Sequence, residues 1–370
     1  MKIPFVDLRA QYKTIQKEID SAIKNVIADC AFVGTSGNKY VKKFEEEFAN
    51  YIGAKHCVAC ANGTDAIEIA LKALGIKAGD EVLVPALTWI STAEAVSNIG
   101  AKPVFVDIDE YYTIDATKIE AKINKKTQAI IPVHLYGQPA DMTTIIKIAK
   151  KHHLKVIEDC AQAHGAELNG QRIGTFGDVA TFSFFPGKNL GAYGDAGAVV
   201  TNNQKLADQC RKVSQHGQLD KKHYHYIEGR NSRMDGIQAA VLSIKLKHLD
   251  NWTKARIKNA EKYHQLLSNV ELPKVHPGAK HVYHLFVIKT ENRDKFQNHL
   301  KEKGIETGIH YPTALPFLAA YETYRHKPLD FPVACNATKK ILSLPMYAEL
   351  TDAQIKFVCA QIIKFFKSST

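Results

Sequence analysis

The chain has 370 residues, 45% of them hydrophobic and 24% charged, and its formal net charge is +11 at pH 7. This composition is typical of globular proteins and excludes the disordered and fibrous classes. No apolar run approaches the roughly 20 residues that cross a bilayer, and the first residues lack the apolar segment of a signal peptide. We therefore expect a cytoplasmic protein with no membrane partner.

The positive charge raises the question of a nucleic-acid partner. The lysines are spread along predicted helices and alternate with acidic residues, as in KYVKKFEEEFA. This pattern is more typical of solvated helix faces than of a stripe that follows phosphates, so we expect no nucleic-acid partner. The seven cysteines are scattered and lie mostly in apolar stretches, which predicts reduced thiols and no metal site.

Helix and strand patterns follow one another through most of the chain. Two amphipathic helices are predicted in the first 50 residues, with a loop at residues 31–37 between them. Seven apolar strand patterns come next: HCVACA, EVLVPA, KPVFVDI, QAIIPVH, KVIEDCA, VATFSFF and GAVVTN. Amphipathic helices separate most of these strands. The alternation predicts an α/β fold with a mainly parallel seven-stranded sheet flanked by helices, in which ligands bind beyond the carboxyl ends of the strands.

A long helical pattern after Arg233 predicts a helix that leads out of this sheet domain. Beyond it, a strand (YHLFVIKT), a helix, a second strand (IETGIHYP) and a final helix predict a smaller C-terminal α+β domain. We therefore divide the chain into a large domain at residues 1–245, which includes the N-terminal helices, and a linker helix with the small domain at residues 246–370.

One lysine stands directly after an apolar strand pattern, in the stretch DVATFSFFPGKNLGAYGDAG at residues 178–197. Lys188 follows Pro-Gly and precedes three glycines, which allow the backbone to approach a ligand closely. A lysine that is desolvated in such a loop can lose its proton and form a Schiff base with a carbonyl group. A solvated loop residue is the alternative.

Three further stretches predict polar groups at other strand ends. Gly63 and Thr64 begin a helix, where free amides form either a phosphate site, together with the hydroxyl of Ser183, or an ordinary cap. Asp159 ends a buried strand and needs a cationic partner, either a pyridine nitrogen or an Arg or Lys side chain. Gln162 is placed to donate to a ring oxygen. Trp89 either stacks on an aromatic ligand or packs in the core.

Together these groups describe a site for pyridoxal 5′-phosphate, and the stretches that carry them resemble a known family. EDCAQAHGA, SFFPGKNLGAYGDAG, GRNSRMDGIQAAVL and GIHYP resemble the sugar-nucleotide aminotransferases, a branch of the fold type I, aspartate-aminotransferase-like enzymes. The resemblance implies two catalytic residues: Lys188, which binds the cofactor as a Schiff base, and Asp159, the partner of the pyridine nitrogen. The other implied cofactor contacts are Gly63, Thr64, Trp89, Gln162 and Ser183.

The resemblance also implies a homodimer with shared active sites. Asn231 matches a residue that reaches the cofactor phosphate of the neighbouring subunit. Arg233, His310 and Tyr311 match positions that line the sugar-nucleotide site. Arg233 suits a diphosphate because its guanidinium is a planar fork. For His310, a packed strand residue is the alternative.

The function that follows is an amino transfer in two stages. An amino acid, L-glutamate by resemblance, converts the cofactor to pyridoxamine 5′-phosphate, which then aminates a keto group on a nucleotide-linked deoxysugar. NSRMD favours a 3-keto substrate, because 4-keto relatives more often have an aromatic residue in place of Ser232; a 4-keto sugar is the alternative. Related dehydratases carry His in place of Lys188, which disfavours elimination. A non-catalytic basic binding protein also stays open.

Overall fold

A computed structural model describes residues 1–34 and 37–367. Two residues of the predicted loop at residues 31–37, and the last three of the predicted small domain, lie outside the described residues. The described part contains eleven α-helices: Leu8–Ala28 (α1), Lys39–Ile52 (α2), Gly63–Ala73 (α3), Ser91–Asn98 (α4), Met142–Lys151 (α5), Gln204–Ser214 (α6), Gly236–Leu246 (α7), Leu249–Leu266 (α8), Arg293–Glu302 (α9), Pro332–Lys340 (α10) and Asp352–Lys367 (α11).

The strands of the same part are His56–Cys60 (β1), Glu81–Pro85 (β2), Lys102–Val106 (β3), Thr127–Ile130 (β4), Lys155–Asp159 (β5), Glu167–Leu168 (β6), Gln171–Arg172 (β7), Val179–Ser183 (β8), Gly197–Thr201 (β9), Ala279–Lys280 (β10), Phe286–Lys289 (β11) and Ile341–Leu344 (β12). Seven of them form one sheet in the order β1-β9-β8-β5-β4-β2-β3. Strand β9 is antiparallel to both its neighbours, and the remaining pairs are parallel. The predicted fold class is therefore confirmed.

Both faces of the sheet are covered, which explains why its strands read as nearly continuous apolar runs. Val82 and Val84 of β2 belong to a core cluster with residues of α3, α4 and α6. Leu83, whose side chain points to the opposite face, belongs to a cluster with residues of α2, α5 and α7. The sheet is thus the middle of three layers, and only its edges are free to bind a ligand.

The small domain is built on the antiparallel pair β11 and β12. Its core combines residues of α8, α9 and α11 with Ile3 from the start of the chain, which is fully buried. The predicted strand IETGIHYP is wrong: Ile305 bridges to Ile3 while Gly308 bridges to Ser343, so the segment crosses between two partners instead of pairing along one. The sequence patterns also gave no indication of α10 and β12.

The predicted connecting helix is two helices, since a tight turn at Lys247 and His248 separates α7 from α8. Leu242 of α7 packs in the core of the large domain, whereas Tyr263 of α8 packs in the core of the small domain. These contacts support a domain boundary near residue 245, which we keep as a proposal. Within the described residues, none of the helices is long and apolar enough to span a membrane.

Glu158, at the end of β5, anchors the chain beside the predicted catalytic carboxylate. It is fully buried, and its oxygens accept hydrogen bonds from the backbone amides of Gly174, Phe176 and Gly177 at 2.8–2.9 Å. His134 Nε2 lies 3.2 Å from the same carboxylate, while its Nδ1 accepts from the Ala140 amide. The proton is therefore assigned to Nε2, which donates to Glu158.

Replacing this carboxylate should destabilise the large domain. Glu158→Ala leaves three buried amides and an imidazole N–H without acceptors, so we expect the free energy of unfolding to fall by about 3 kcal/mol. Chemical denaturation at a fixed protein concentration measures the change. Glu120→Ala is the control: its ion pairs with Lys151 and His152 are exposed, so stability should hardly change. Equal stability of the two variants would contradict the role of Glu158.

Candidate active site

The carboxyl ends of β1, β2, β5 and β8 bring most of the predicted site residues to one edge of the sheet. In the register of the sheet, Gly197 of β9 pairs with both Cys60 of β1 and Ser183 of β8. A side chain on Gly197 would lie 2.3 Å from the carbonyl oxygen of Asn62, so only glycine lets β9 pass under the turn that follows β1. The turns after β1 and β8 are therefore held side by side.

Lys188 lies in the turn after β8, where its backbone amide donates to the carbonyl of Phe185 at 2.8 Å. Burial lowers the pKa of its ammonium group to about 8, and the nearby Asp159 carboxylate partly offsets this by favouring the charged form. An amine with this pKa is uncharged in a useful fraction of molecules near neutral pH. Lys188 therefore meets the first requirement of an amine nucleophile.

Asp159 is buried, with 5% of its surface exposed. Its two oxygens accept hydrogen bonds from the hydroxyl of Thr92 at 2.9 Å and the amide of Ala161 at 3.1 Å. Burial raises the pKa of the Asp159 carboxyl, while these hydrogen bonds and the Lys188 charge lower it. Asp159 is thus oriented from two sides, and a cation is the partner that would best stabilise its ionised form. Sequence reasoning missed Thr92, which occupies the start of α4.

The turn at Asn62 and Gly63 contains both a helix cap and free backbone amides, the two alternatives predicted for it. The Asn62 side chain caps α3 by accepting from the Asp65 amide at 2.8 Å. The first two amides of the helix, those of Gly63 and Thr64, have no acceptor in the described part of the chain. A Cβ atom on Gly63 would lie 2.5 Å from Cβ of Ser183, so the turn and Ser183 are in contact. Free amides at a helix start, beside a hydroxyl, suit a phosphate.

Thr64 has a second partner that sequence reasoning also missed. Its hydroxyl lies 2.7 Å from the hydroxyl of Ser91, which in turn donates to Glu94 at 3.0 Å. Both Ser91 and Thr92 stand at the first turn of α4, and the only signal for them was the position of PALTWIST after a strand end. This turn therefore supports the predicted phosphate group and Asp159 together.

Gln162 links the large domain to the small domain. Its Oε1 accepts from the Tyr136 amide at 2.7 Å, and its Nε2 donates to the Tyr311 hydroxyl at 3.1 Å. The Tyr136 hydroxyl donates to the carbonyl of His310. Sequence reasoning assigned no role to Tyr136.

Trp89 lies at the mouth of the same edge. Its ring centroid is 5.5 Å from that of Tyr311, at an interplanar angle of 43°. Its side chain is 56% exposed, so the core alternative does not hold for this residue. An exposed indole beside the ring of Tyr311 provides a face on which a planar ligand can stack.

His310 faces the site from the small domain. Its Nδ1 lies 2.8 Å from the hydroxyl of Ser343, and its ring stacks on Phe5 with centroids 5.4 Å apart. Burial and the Lys188 charge lower the pKa of His310 to about 4, so the imidazole is neutral at physiological pH. His310 is not a strand residue, and its pKa responds to the charge of Lys188.

Asn231 and Arg233 are not brought into this group. Asn231 is exposed, and its Oδ1 accepts from Nε of Arg233 at 3.0 Å. Among the described residues, no hydrogen bond joins either side chain to Lys188 or Asp159. Ser232 between them is fully buried, and its hydroxyl accepts from the Ala61 amide at 3.2 Å. The segment is thus fixed next to the turn after β1 while its two polar side chains face outward.

A large mainly parallel sheet with a half-buried lysine of lowered pKa at its carboxyl edge, next to a small domain, is the arrangement expected of an aminotransferase. The model of the DegT/DnrJ/EryC1/StrS aminotransferase family matches residues 13–363. The chain belongs to this family. The resemblance to sugar-nucleotide aminotransferases is therefore confirmed.

Curated relatives cover almost the whole chain. A pleiotropic regulatory protein of Geobacillus stearothermophilus is 46% identical, with 99% of each chain covered. A UDP-N-acetyl-3-dehydro-alpha-D-glucosamine 3-aminotransferase of Acidithiobacillus ferrooxidans is 44% identical, with 97% of each covered. A GDP-perosamine synthase of Escherichia coli O157:H7 is 37% identical over 92% of this chain and 94% of its own.

Solved structures share the whole architecture. DesV of S. venezuelae, determined in complex with a ketimine intermediate, superposes with a TM-score of 0.94 at 40% identity, and 98% of each chain is covered. NtdA of Bacillus subtilis, determined with its cofactor PMP bound, gives a TM-score of 0.91 at 33% identity, over 99% of this chain and 85% of that one.

The ionisation of Lys188 provides a test of the site's electrostatics. Competitive acetylation of the cofactor-free protein, read by mass spectrometry, should give Lys188 a midpoint near pH 8 instead of the ordinary value of 10.5. Because the Asp159 charge favours the ammonium form, Asp159→Asn should move the midpoint lower. Exposed Lys247 serves as the internal reference for reagent reactivity. A midpoint near 10.5, or a rise in Asp159→Asn, would contradict the geometry described above.

Proposed function

We propose that the protein is a cytoplasmic, pyridoxal 5′-phosphate-dependent enzyme that moves an amino group from L-glutamate to a keto group of a nucleotide-linked deoxysugar. The observation that carries the proposal is the half-buried Lys188 amine, whose pKa is lowered, near the oriented Asp159 carboxylate, in a chain of this aminotransferase family. Bound at this site, the cofactor supplies an electron sink and carries the amino group as pyridoxamine 5′-phosphate between the two stages.

The residues at the sheet edge fit this cofactor. The amides of Gly63 and Thr64 have no acceptor among the described residues and lie beside Ser183, with which a Cβ on Gly63 would collide, so these amides and the Ser183 hydroxyl would bind the phosphate. Asp159 would hold a protonated ring nitrogen, since burial makes its charge depend on a cationic partner. Trp89 would cover one face of the ring, and Gln162 would donate to its oxygen.

Lys188 would do the proton transfers. Once displaced from the cofactor by the amino acid, its Nζ accepts a proton when neutral and returns it when charged. Its pKa of about 8 makes both forms available near neutral pH, which is the condition for a group that works as base and then as acid.

The sugar nucleotide would bind where the small domain faces this amine. His310 and Tyr311 line the open side of the site, and a neutral imidazole offers one donor and one acceptor to sugar hydroxyls. We propose a 3-keto sugar as the substrate, supported by the NSRMD motif and by similarity to a relative named as a 3-aminotransferase. A 4-keto sugar is the alternative.

The decisive experiment combines the protein with pyridoxal 5′-phosphate, L-glutamate and UDP-, dTDP- and GDP-linked 3-keto and 4-keto sugars. Mass spectrometry and NMR of the products should show an amine at the former 3-keto carbon, with one 2-oxoglutarate formed for each amino sugar. Lys188→Ala should lower turnover by a factor of about 10² to 10⁴, because the proton-transfer group is lost. Comparable turnover in this variant would refute the assignment, and release of water without amino transfer would show a dehydratase.

We also propose a homodimer in which each site uses Asn231 of the other subunit. The exposure of Asn231, and the absence among the described residues of a hydrogen bond from it to Lys188 or Asp159, support this arrangement. Arg233, which donates to Asn231, would then stand at the same subunit boundary, where it can pair with the diphosphate of the substrate. Each site would be incomplete in a monomer.

Mixed dimers test the shared site. Asn231→Asp would put a carboxylate against the cofactor phosphate of the partner, so this variant should lose most of its activity, as should Lys188→Ala. After the two inactive proteins are unfolded together and refolded, about half of the dimers are mixed and one of their two sites is intact, giving about a quarter of wild-type activity. Refolding each variant alone is the control. Mixtures without recovered activity would contradict a site built from two subunits.

A further inference from the structure

A second lysine lies beneath the loop that carries Lys188. Lys245 of α7 is only 1% exposed, and its Nζ donates to the carbonyl oxygen of Gly191 at 2.7 Å. The same ammonium lies 4.3 Å from the ring centroid of Tyr193, a distance suited to a cation–π contact. Gly191 and Tyr193 follow Lys188 by three and five residues. The Lys245 ammonium therefore contacts the second half of the loop that carries Lys188.

Other contacts close the rest of this loop, which runs from Phe185 to Gly194. The side chain of Gln238, also on α7, accepts from the Tyr193 amide at 2.9 Å, and the Ala192 amide donates to the Phe184 carbonyl at 2.8 Å. On the opposite side, Asn189 donates to the Val282 carbonyl at 3.2 Å. Lys188 therefore lies in the middle of a loop that α7 contacts on one side and the segment leading to the small domain contacts on the other.

The buried ammonium is costly, and its surroundings compensate it only in part. Burial lowers the pKa of Lys245 to about 8, and the opposing influence comes from Glu349, which does not bond to it among the described residues. A methionine of similar length would fill the same space without a desolvation cost. A charge retained where an apolar side chain would cost less indicates a task other than stability.

We propose that Lys245 is a positioning residue. Its ammonium fixes the Gly191 carbonyl, so that the loop directs the Lys188 amine toward Asp159 and toward the proposed phosphate site at Gly63. Neither Lys245 nor Gly191 touches the substrate in this arrangement. The role rests on the proposed function of Lys188. A pinned carbonyl fixes the path of the loop, and small displacements of a reacting amine reduce rates strongly.

The test uses Lys245→Met, which keeps the length and removes the donor, and Lys245→Arg, which restores a buried donor. Exposed Lys247→Met on the same part of the chain is the matched control. In the cofactor-free protein, hydrogen exchange of residues 185–194 should be about tenfold faster in Lys245→Met than in wild type and the control. Lys245→Arg should restore part of the protection.

In the cofactor-loaded enzyme, Lys245→Met should weaken pyridoxal 5′-phosphate binding about tenfold and lower kcat by about tenfold to a hundredfold. The KM for the sugar nucleotide should stay within about twofold, because His310 and Tyr311 do not contact the loop through Lys245. A purely structural role would lower the melting temperature without this split between kcat and KM. If Lys245→Met does not fold, Lys245→Gln and Lys245→Arg carry the same comparison.

The outcomes separate the two proposals. A wild-type protein that forms no borohydride-reducible bond between Lys188 and the cofactor, located by mass spectrometry, would overturn the proposed function and the role of Lys245 with it. If that bond forms, and Lys245→Met matches wild type in exchange, cofactor affinity and kcat, only the role of Lys245 is overturned. Faster exchange with a selective loss of kcat supports it.

Discussion

The half-buried ammonium group of Lys188, in the turn after β8, and the buried carboxylate of Asp159, at the end of the neighbouring parallel strand β5, are the constraint on which the rest of this site depends. Each charge is costly to bury, and each lowers the cost of the other only in part. Burial lowers the pKa of Lys188 to about 8 and raises that of Asp159, so it disfavours the charged form of both groups. Ionisable groups shifted in this way are typical of catalytic sites.

The surrounding fold holds this pair by backbone contacts more than by side-chain packing. Glu158 ties three loop amides to the end of β5, directly before Asp159. Gly197 lets β9 pass closely under the turn after β1, and this brings Gly63 against Ser183. Lys245 reaches a carbonyl of the loop that carries Lys188. These contacts use polar groups that must be satisfied when buried, so they specify one geometry among the many that an apolar core would accept.

The two domains meet through the site, and this has a consequence for binding. Gln162 of the large domain bonds to Tyr311, and Tyr136 bonds to the carbonyl of His310. A ligand that contacts Trp89 and Tyr311 would therefore add to an interface that already exists in the free protein. Exposed Asn231 and half-buried Arg233 lie outside this interface, on either side of Ser232, which is buried and bonded to Ala61.

Local patterns in the sequence determined the seven sheet strands, because helices cover both faces and every such strand must be apolar. They also determined which residues follow the strand ends, and so identified four residues of the candidate site: Lys188, Asp159, Gly63 and Trp89. The sequence did not indicate the roles of Thr92, Tyr136 and Lys245. A threonine in a helix turn, a tyrosine in a loop and a lysine in a helix are common, and nothing distinguishes them until their partners are known. The crossing segment at Ile305 was mistaken for a strand for the same reason. Only the tertiary structure decided these roles and the path of this segment, because hydrogen bonds between residues far apart in the chain leave no periodic pattern in its sequence.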